Sequence, residues 1–290
     1  MKIGIIGCSR VGCSFAKALS SKSDKIKVIL CKVTNTPISL SNIQRSLNTA
    51  NQIQVTNKIK DVISNCDIIF IAVKDDKIVT IVEEIIRQGG NMTGKYFLHF
   101  SGSLTCELFS PLKVHYRVKV GSLHPVASFP SIQVGVERMF NIWWVFEGDG
   151  ECLKKIGFLI KLLNGKIIKI DKSAKILHHI VCVFSANFLV GLLFLAKELA
   201  RENSSLKEYG VYLPLVESVI KNAQNAKNIE DILTGPVVRG DINTITRHLS
   251  FLEKYPTFLR YYKMFSSLLL DMSKEVLDKD VYAKIKKMLK

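Results

Sequence analysis

The sequence predicts an α/β domain with a parallel sheet, followed by an all-helical C-terminal domain. Two observations support this prediction. Up to about residue 170, short runs of β-branched and aromatic residues alternate with helical stretches, which is typical of a parallel sheet with crossover helices. From Asp171 onward the strand signals disappear and long helical runs follow. We therefore place one domain over residues 1–170 and a second over residues 171–290.

Seven runs are predicted to be strands of the sheet. The first opens the chain, and we expect a helix directly after it, from about Arg10 to Ser20. After Asp67, the run "DIIFIAV" is apolar, as expected for a strand that is buried on both faces. The seven runs are residues 2–7, 25–31, 67–73, 96–102, 119–125, 142–148 and 165–170.

The predicted helical domain begins with a strongly apolar run over residues 180–196. Ser185, Asn187 and Gly191 interrupt it. A membrane-spanning helix needs about 20 apolar residues with fewer polar interruptions. We therefore expect a helix buried on all sides inside the protein, and no membrane partner. Amphipathic segments follow at about residues 206–228, 241–254 and 257–289.

Composition narrows the possible classes of function. The chain has 290 residues, 48% of them hydrophobic, which is too many for a disordered chain. Its net charge is +16, but the lysines are dispersed and form no nucleic-acid-binding pattern, so we expect no nucleic-acid partner. The seven cysteines form no C-x-x-C pair and no zinc spacing. We therefore expect a reducing, cytoplasmic location and no metal site.

The turn after the first strand, "GCSRVG", resembles a dinucleotide-binding G-x-G-x-x-G turn that lacks its middle glycine. Gly7 permits the tight turn and Gly12 permits close packing of helix on strand, whereas Ser9 adds a side chain where the backbone would approach a pyrophosphate. A glycine turn without a nucleotide is the alternative. The turn predicts a phosphate site at a helix N-terminus, formed by Gly7, Cys8, Ser9, Arg10, Val11 and Gly12.

About 20 residues further along, NAD enzymes usually place an acidic residue that binds the ribose 2′-hydroxyl. This chain has "CKVTN" at residues 31–35, without an acid. The cation of Lys32 and the hydroxyl of Thr34 suit a 2′-phosphate, so we expect NADP rather than NAD as cofactor. An exposed lysine at a strand end is the alternative interpretation of Lys32.

Three later stretches carry a resemblance to a known family. They are "SLHPVASFP" (122–130), "HHIVCVFSANFLVGL" (178–192) and "LTGPVVRGDINTITRHL" (233–249). With the N-terminal turn and "VKDDKI" (73–78), they resemble the short-subunit dehydrogenase-like oxidoreductases over essentially the whole chain. The resemblance implies a Rossmann-like NADP-binding domain and a helical C-terminal domain of unassigned function.

This family is similar in architecture to pyrroline-5-carboxylate reductases, ketopantoate reductases and β-hydroxyacid dehydrogenases. In those relatives the helical domain dimerises and closes the active site, so the resemblance implies a homodimer. Two residues depart from the family pattern. Ser9 stands where the family usually has glycine, and His178 stands where a tyrosine is common before His179.

Four residues are candidates for acid–base or orienting roles. His124 lies at a predicted strand end, where doubly wound sheets bind ligands, and its ordinary pKa suits proton transfer; bracing a proline-rich loop is the alternative. Lys175 and His179 are four residues apart on one helix face. The β-hydroxyacid dehydrogenases place a lysine proton donor and an asparagine with that spacing. A solvated lysine and a core histidine are the alternatives. Asn187, inside an apolar run, must find hydrogen-bond partners in the ligand or in a neighbouring helix.

Other polar residues are candidates for binding. Ser101, which is an equally good helix cap, is predicted to line the cofactor together with Val73 and Lys74. Thr234, Arg239 and Asp241 are predicted to bind a substrate, because arginine can hold a carboxylate or phosphate with two hydrogen bonds. Asp241 is also a candidate N-cap for the next helix.

Taken together, these features predict an NADP(H)-dependent oxidoreductase that transfers a hydride to or from a small anionic carbonyl or imine substrate. Two alternatives stay open. One is a non-catalytic module that senses NADP(H), and the other is a reductase of the pyrroline-5-carboxylate or ketopantoate type.

Overall fold

The computed structural model describes residues 1–33, 43, 47 and 52–290. These residues divide into two compact units, Met1–Asn187 and Phe188–Lys290. The division falls inside the helical segment Lys172–Ala200. The first part of that segment therefore belongs to the unit that contains the sheet, beyond the boundary predicted near residue 170.

The first unit contains an eight-stranded sheet and helices. Its strands are β1 (Lys2–Ile6), β2 (Lys27–Cys31), β3 (Ile53–Thr56), β4 (Ile68–Ile71), β5 (Tyr96–His99), β6 (Lys119–Pro125), β7 (Trp143–Gly148) and β8 (Lys166–Lys169). Its described helices are α1 (Arg10–Lys22), α2 (Ile59–Asn65), α3 (Ile78–Gln88), α4 (Ser110–Tyr116), α5 (Ile132–Arg138), α6 (Gly150–Leu162) and α7 (Lys175–Cys182).

The strands lie in the order β3-β2-β1-β4-β5-β6-β7-β8. Neighbouring strands are parallel, except that β7 runs antiparallel to β6. The strand order therefore reverses direction at β1. In open α/β sheets, ligands bind at such a reversal, outside the carboxyl ends of the strands.

Helices cover both faces of the sheet. Ile3 and Ile5 of β1 pack in one core cluster with Phe15 of α1, whereas Ile6 packs in a second cluster with Val62 of α2. Successive side chains of a strand point to opposite faces. Because both faces are apolar, the central strands have the continuous apolar runs from which a buried parallel sheet was predicted.

Two features of the sheet were not predicted. Strand β3 has only four residues, "IQVT", and its polar side chains mask the strand signal. The antiparallel direction of β7 is a second difference from a fully parallel sheet. An apolar run shows that a segment is a buried strand, but it does not show in which direction the strand runs.

The second unit is all-helical over its described residues, as predicted. Its helices are α8 (Leu189–Ala200), α9 (Leu213–Asn225), α10 (Ile242–Leu252), α11 (Pro256–Met272) and α12 (Lys279–Met288). The segment around residues 257–289 is split in two, because the Asp278 side chain caps α12 by accepting from the amides of Asp280 and Val281. The core cluster of this unit is small and consists of Val237, Ile245, Leu270, Ile285 and Leu289.

The expectation of an apolar helix buried on all sides is wrong for the single chain. Segment Lys172–Ala200 is long and apolar enough to cross a membrane, with a mean hydropathy of 2.2, and none of its apolar window is buried. Leu177, Phe184 and Phe194 are 60%, 65% and 60% exposed. A single helix of this kind is weak evidence for a membrane span. Among the described residues of one chain, none buries the apolar window of this segment.

Candidate functional site

The turn after β1 requires glycine at position 7. Gly7 has a φ of +108°, which residues with a side chain rarely adopt. A Cβ atom at Gly7 would lie 2.4 Å from the backbone oxygen of Ala72, just after β4. The Gly7 amide donates to the carbonyl oxygen of Cys31 at 2.8 Å. The turn is therefore fixed between β2 and β4, where the strand order reverses.

Ser9 fits into this turn as the N-cap of α1. Its hydroxyl oxygen accepts a hydrogen bond from the Gly12 amide at 3.2 Å. A Cβ atom at Gly12 would lie 2.6 Å from the Cβ of Ala72, so glycine is needed there for close packing. The amides of Arg10 and Val11 open the helix and have no intrahelical partner. With the helix dipole, these amides form a site suited to an anion.

Two neighbours at the turn, Cys13 and Lys32, lower the pKa of the Cys8 thiol. The hydrogen-bonded thiol of Cys13 lowers the pKa of Cys8, and the charge of Lys32 lowers it further, against the opposing effect of burial. The Lys32 ammonium is therefore close enough to the turn to stabilise negative charge there.

A cavity of about 930 Å³ lies beside the carboxyl ends of β2 and β3. Three lysines, Lys32, Lys58 and Lys60, line it together with the carboxylate of Glu84. The excess of positive charge suits a phosphate group. Lys58 and Lys60 were not predicted, although they directly follow a short strand. Thr34, the other residue predicted to bind a 2′-phosphate, lies outside the described residues.

Polar side chains meet near the carboxyl ends of β4 and β5, and we call them the strand-end cluster. Asp75 follows β4, Ser101 follows β5, and Lys175 begins α7. The members of the cluster are Asp75, His99, Ser101, Cys106, Glu147 and Lys175.

Lys175 is the central residue of the strand-end cluster. It is 1% exposed, and its Nζ has no hydrogen-bond partner among the residues that the structure describes. The alternative of a solvated lysine in the first helical turn is therefore wrong. Burial lowers the pKa of Lys175 to about 8, although the carboxylates of Glu147 and Asp75 oppose this shift. A buried cation without a partner is costly and is characteristic of functional sites.

Glu147 places a buried carboxylate in the cluster. It is 5% exposed and accepts hydrogen bonds from the Cys106 amide at 2.7 Å and from the Cys106 thiol at 3.2 Å. Burial and the Glu147 charge raise the pKa of Cys106 to about 12, so the thiol keeps its proton and donates it. The carboxylate is thus fixed where its charge acts on Lys175.

Ser101 does not cap the next helix, Cys106–Phe109, whose N-cap is Thr105. Its side chain instead holds the turn after β5, and its role in lining the cofactor stays a prediction. Its hydroxyl donates to Asp75 at 2.7 Å and accepts from the amides of Ser103 and Leu104 at 3.2 and 3.0 Å. His99 accepts from the Ser101 amide through Nδ1, and its Nε2 lies 3.1 Å from the carbonyl oxygen of Thr105. Burial lowers the pKa of His99 to about 4, so its ring is neutral and structural.

His124 lies beside the two histidines of α7. Its Nδ1 is 2.9 Å from Nε2 of His178, and its ring centroid is 6.4 Å from that of His179. A Cβ atom at Gly102 would lie 2.6 Å from Cδ2 of His179 and 3.0 Å from Nε2 of His124. Burial, together with the charges of His178, Lys175 and His179, lowers the pKa of His124 to about 3. The His124 ring is therefore neutral at physiological pH.

Three other predicted residues of the first unit take different positions. The Val73 side chain lies against the turn, 2.7 Å from where a Gly7 Cβ would be. Lys74 is exposed and precedes the short helix Asp75–Lys77. Asn187 is exposed at the end of the π-helical turn Val183–Phe188, so in one chain its amide reaches solvent and needs no protein partner.

The predicted substrate-binding residues all belong to the second unit. Asp241 is the N-cap of α10, as expected, and accepts from the Thr244 amide at 3.0 Å and the Thr244 hydroxyl at 2.7 Å. These hydrogen bonds lower the pKa of Asp241. Thr234 and Arg239 are exposed. The substrate-binding role of all three stays a prediction.

Sequence reasoning missed several members of the strand-end cluster. Glu147 and His99 had a visible signal, since each is a polar residue near the end of an otherwise apolar strand run. Asp75 and Cys106 had none, because only the tertiary fold brings them to Ser101 and Glu147.

Two family models match the chain. Residues 1–125 match a model described as a Rossmann-like domain, and residues 142–268 match a domain of unknown function, DUF2520. A search of curated proteins finds no match to the sequence.

Solved structures share the fold over nearly the whole chain. A proposed NADP oxidoreductase from Bacteroides fragilis is 21% identical with a TM-score of 0.73, covering 92% of this chain and 97% of that protein. A protein from Thermotoga maritima is 22% identical, with a TM-score of 0.68 and coverage of 94% and 98%. A reductive aminase from Aspergillus terreus, in complex with NADPH and ethyl-5-oxohexanoate, is 14% identical, with a TM-score of 0.57 and coverage of 99% and 92%. The chain thus combines a Rossmann-like domain with a helical C-terminal region, in the fold that these proteins also have.

Proposed function

We propose that this protein is an NADP(H)-dependent oxidoreductase that reduces a small carbonyl or imine substrate. The observation that carries the proposal is the buried, unpartnered ammonium of Lys175 at the ligand-binding edge of a Rossmann-like sheet. A reductase of this kind needs a proton donor at the atom that receives the hydride. Lys175 meets that need.

The residues of the first unit fit a dinucleotide. Glycine is sterically required at positions 7 and 12, which leaves the backbone of the turn open to a pyrophosphate. The α1 N-terminus supplies free amides, and the cavity lined by Lys32, Lys58 and Lys60 supplies positive charge for a 2′-phosphate. When bound, the nicotinamide would supply the hydride. The residues of this chain bind the cofactor, orient the substrate and provide the proton.

Lys175 is the better proton donor of the candidates in this unit. Its pKa of about 8 leaves it mostly protonated near neutral pH, yet ready to release the proton. The His124 ring, with a pKa of about 3, holds no additional proton to give under the same conditions. We therefore assign proton transfer to Lys175, and we assign positioning of the substrate to His124 and His179.

The substrate class is inferred from the fold neighbours and from the sequence. The fold neighbours include imine reductases and a reductive aminase. From the sequence alone, Arg239 and Thr234 stay the candidates for an anionic group on the substrate, and both side chains are exposed.

A test of the function uses the purified full chain with a panel of keto acids, ketones and cyclic imines. We expect oxidation of NADPH, followed by its absorbance, with at least one carbonyl or imine class. Tight binding of NADPH without turnover of any compound would instead indicate a non-catalytic NADP(H) sensor.

Cofactor preference gives a separate prediction. Replacing Lys32 and Lys58 together by alanine removes two cations from the cavity, so calorimetry should show NADPH affinity falling by about 10- to 100-fold. The affinity for NADH, which lacks the 2′-phosphate, should fall much less, by only the amount that Lys32 contributes at the turn. Lys154→Ala, an exposed lysine of α6, is the matched control. An equal loss for both cofactors would contradict a 2′-phosphate site.

We also propose that two copies of the chain form a homodimer through the helical unit. Its core cluster has five buried residues in Phe188–Lys290, too few to stabilise a unit of that size. Val190 and Phe194 of α8 and Leu215 of α9 are 65%, 60% and 64% exposed. A second copy presents the same apolar helices and can cover them in a symmetric interface.

The homodimer is tested by light scattering coupled to size exclusion. We expect about twice the mass of the 32.6 kDa chain for the unchanged protein. The double variant Val190→Glu and Phe194→Glu should give monomer, because burial of charge opposes association. Val114→Glu, at an exposed residue of α4, should stay dimeric. A monomer that sediments with phospholipid vesicles would point to a membrane instead.

A further inference from the structure

Three side chains of the first unit form a cluster of nitrogen and sulfur ligands. His124 lies near the end of β6, and His178 and Cys182 lie on α7. Their ligand atoms all lie within 4.8 Å of one another. Nε2 of His178 is 2.9 Å from Nδ1 of His124 and 3.8 Å from Sγ of Cys182. We propose that this histidine–cysteine cluster binds a divalent transition-metal ion of the zinc type.

The distances suit a tetrahedral ion. With metal–nitrogen bonds of about 2.0–2.1 Å and a metal–sulfur bond of about 2.3 Å, two nitrogens lie roughly 3.3 Å apart and nitrogen and sulfur roughly 3.6 Å apart. The observed 2.9 Å and 3.8 Å depart from these values by a few tenths of an ångström. The third pair, His124 and Cys182, lies within 4.8 Å, so these two side chains must move closer together to bind one ion.

The local structure holds these ligands in place. His178 and Cys182 are four residues apart on α7, so both side chains lie on one helix face. His124 is paired with Val145 of β7, which fixes its backbone on that side. All three residues are half-buried, so an ion can reach them from solvent. Three protein ligands with one open position are typical of catalytic rather than structural zinc sites.

The hydrogen bond between His124 and His178 shows that one of the two facing ring nitrogens has a free lone pair. At 2.9 Å one imidazole nitrogen donates and the other accepts, so at least one of them carries no proton. To bind the ion, the donor ring moves its proton to its other nitrogen through solvent, so that both facing nitrogens offer a lone pair. The Cys182 thiol releases its proton to solvent. Thiolate and imidazole ligands favour zinc or cobalt over magnesium and calcium.

The charge of Lys175 opposes a second cation nearby, but other groups offset it. The carboxylates of Glu147 and Asp75 act on Lys175, and so does the Cys182 sulfur. With the thiolate formed, three negative groups act on the ammonium, and the Cys182 thiolate also binds the ion. The fourth position on the ion stays open to water or to an oxygen or nitrogen atom of a substrate. Metal binding does not depend on the proposed reductase activity, so the two are tested separately.

The test is a titration of the chelator-treated full chain with Co²⁺, followed by absorbance. We expect one Co²⁺ per chain, a thiolate-to-cobalt charge-transfer band and the intense visible bands of a four-coordinate ion, all removed by Zn²⁺ and not by Mg²⁺. Cys182→Ser should remove the charge-transfer band, and His178→Asn should weaken Co²⁺ binding by more than about tenfold.

His115→Asn is the matched control, because His115 is an exposed histidine of α4 and does not belong to the cluster. It should leave the spectrum unchanged. Circular dichroism of each variant checks that it is folded. Absence of a charge-transfer band in the unchanged protein, or its persistence in Cys182→Ser, overturns the proposal.

Discussion

Replacement of Lys175 by methionine is expected to lower turnover by about 10²- to 10⁴-fold, the usual contribution of a general acid. Methionine has a similar length and no charge, so it fits the space of the buried side chain without adding a polar group. NADPH affinity should change little, because Lys175 belongs neither to the cavity lined by Lys32, Lys58 and Lys60 nor to the turn Gly7–Gly12. The measurement is steady-state turnover with the substrate identified from the panel, together with calorimetry.

The same variant should be at least as stable as the unchanged protein. Because the folded state lowers the pKa of Lys175 to about 8, it disfavours the ammonium that the unfolded chain carries. That cost is fully present below about pH 8 and is relieved as the pH rises toward the ordinary lysine value. Removal of the charge therefore stabilises the protein near neutral pH by up to a few kcal/mol. Urea unfolding at neutral pH measures this change.

The pH profile of the unchanged enzyme gives a second readout. Turnover in the direction of reduction should fall as the pH rises through about 8, since the proton donor is then lost. Lys169→Met, at an exposed residue of β8, is the matched control and should keep both the profile and the stability. A Lys175→Met variant with full activity, or with a large loss of stability, would refute the assignment.

Replacement of Gly7 by alanine is expected to destabilise the protein by roughly 2–6 kcal/mol. The φ of +108° costs a residue with a side chain about 1–3 kcal/mol. The new Cβ would also meet the backbone of Ala72 at 2.4 Å, and such overpacking costs about another 1–3 kcal/mol. Because backbone atoms cannot rotate away, the turn must shift, and NADPH affinity should fall with it. Urea unfolding and calorimetry measure the two effects.

Gly150→Ala is the matched control for this variant. Gly150 begins α6, and a Cβ there meets no heavy atom within 4 Å. Its effect should stay within about 0.5 kcal/mol, as for other surface substitutions. If Gly7→Ala binds NADPH as tightly as the unchanged chain, the turn does not hold the pyrophosphate.

The α/β architecture could be predicted because its signals are local. A strand buried on both faces, such as "IIFIAV", must be apolar throughout. The glycine turn after the first strand has a fixed spacing. The antiparallel direction of β7 has no local signal, since direction depends on how the connecting segment crosses the sheet. The short β3 was missed for a different reason, because its polar side chains mask the strand signal.

The site was only partly predictable, because burial decides the role of a polar side chain. Lys175 has the sequence environment of an exposed lysine at a helix start, and only its packing in the fold shows that it is buried. Conversely, Asn187 lies in an apolar run but is exposed in the single chain. The residues His124 and His178 are distant in sequence, so no spacing rule could reveal that they touch.

Because segment Lys172–Ala200 belongs to both units, its position limits where the chain can be truncated or joined to another chain. A fragment that ends at residue 170 would retain the phosphate turn and the lysine cavity, yet it would lack the only ammonium that is buried without a partner in the described chain. The proposed nucleotide site and the proposed proton donor thus lie on successive stretches of polypeptide. A chimera that is meant to keep the proposed proton donor must therefore include α7 together with the first unit.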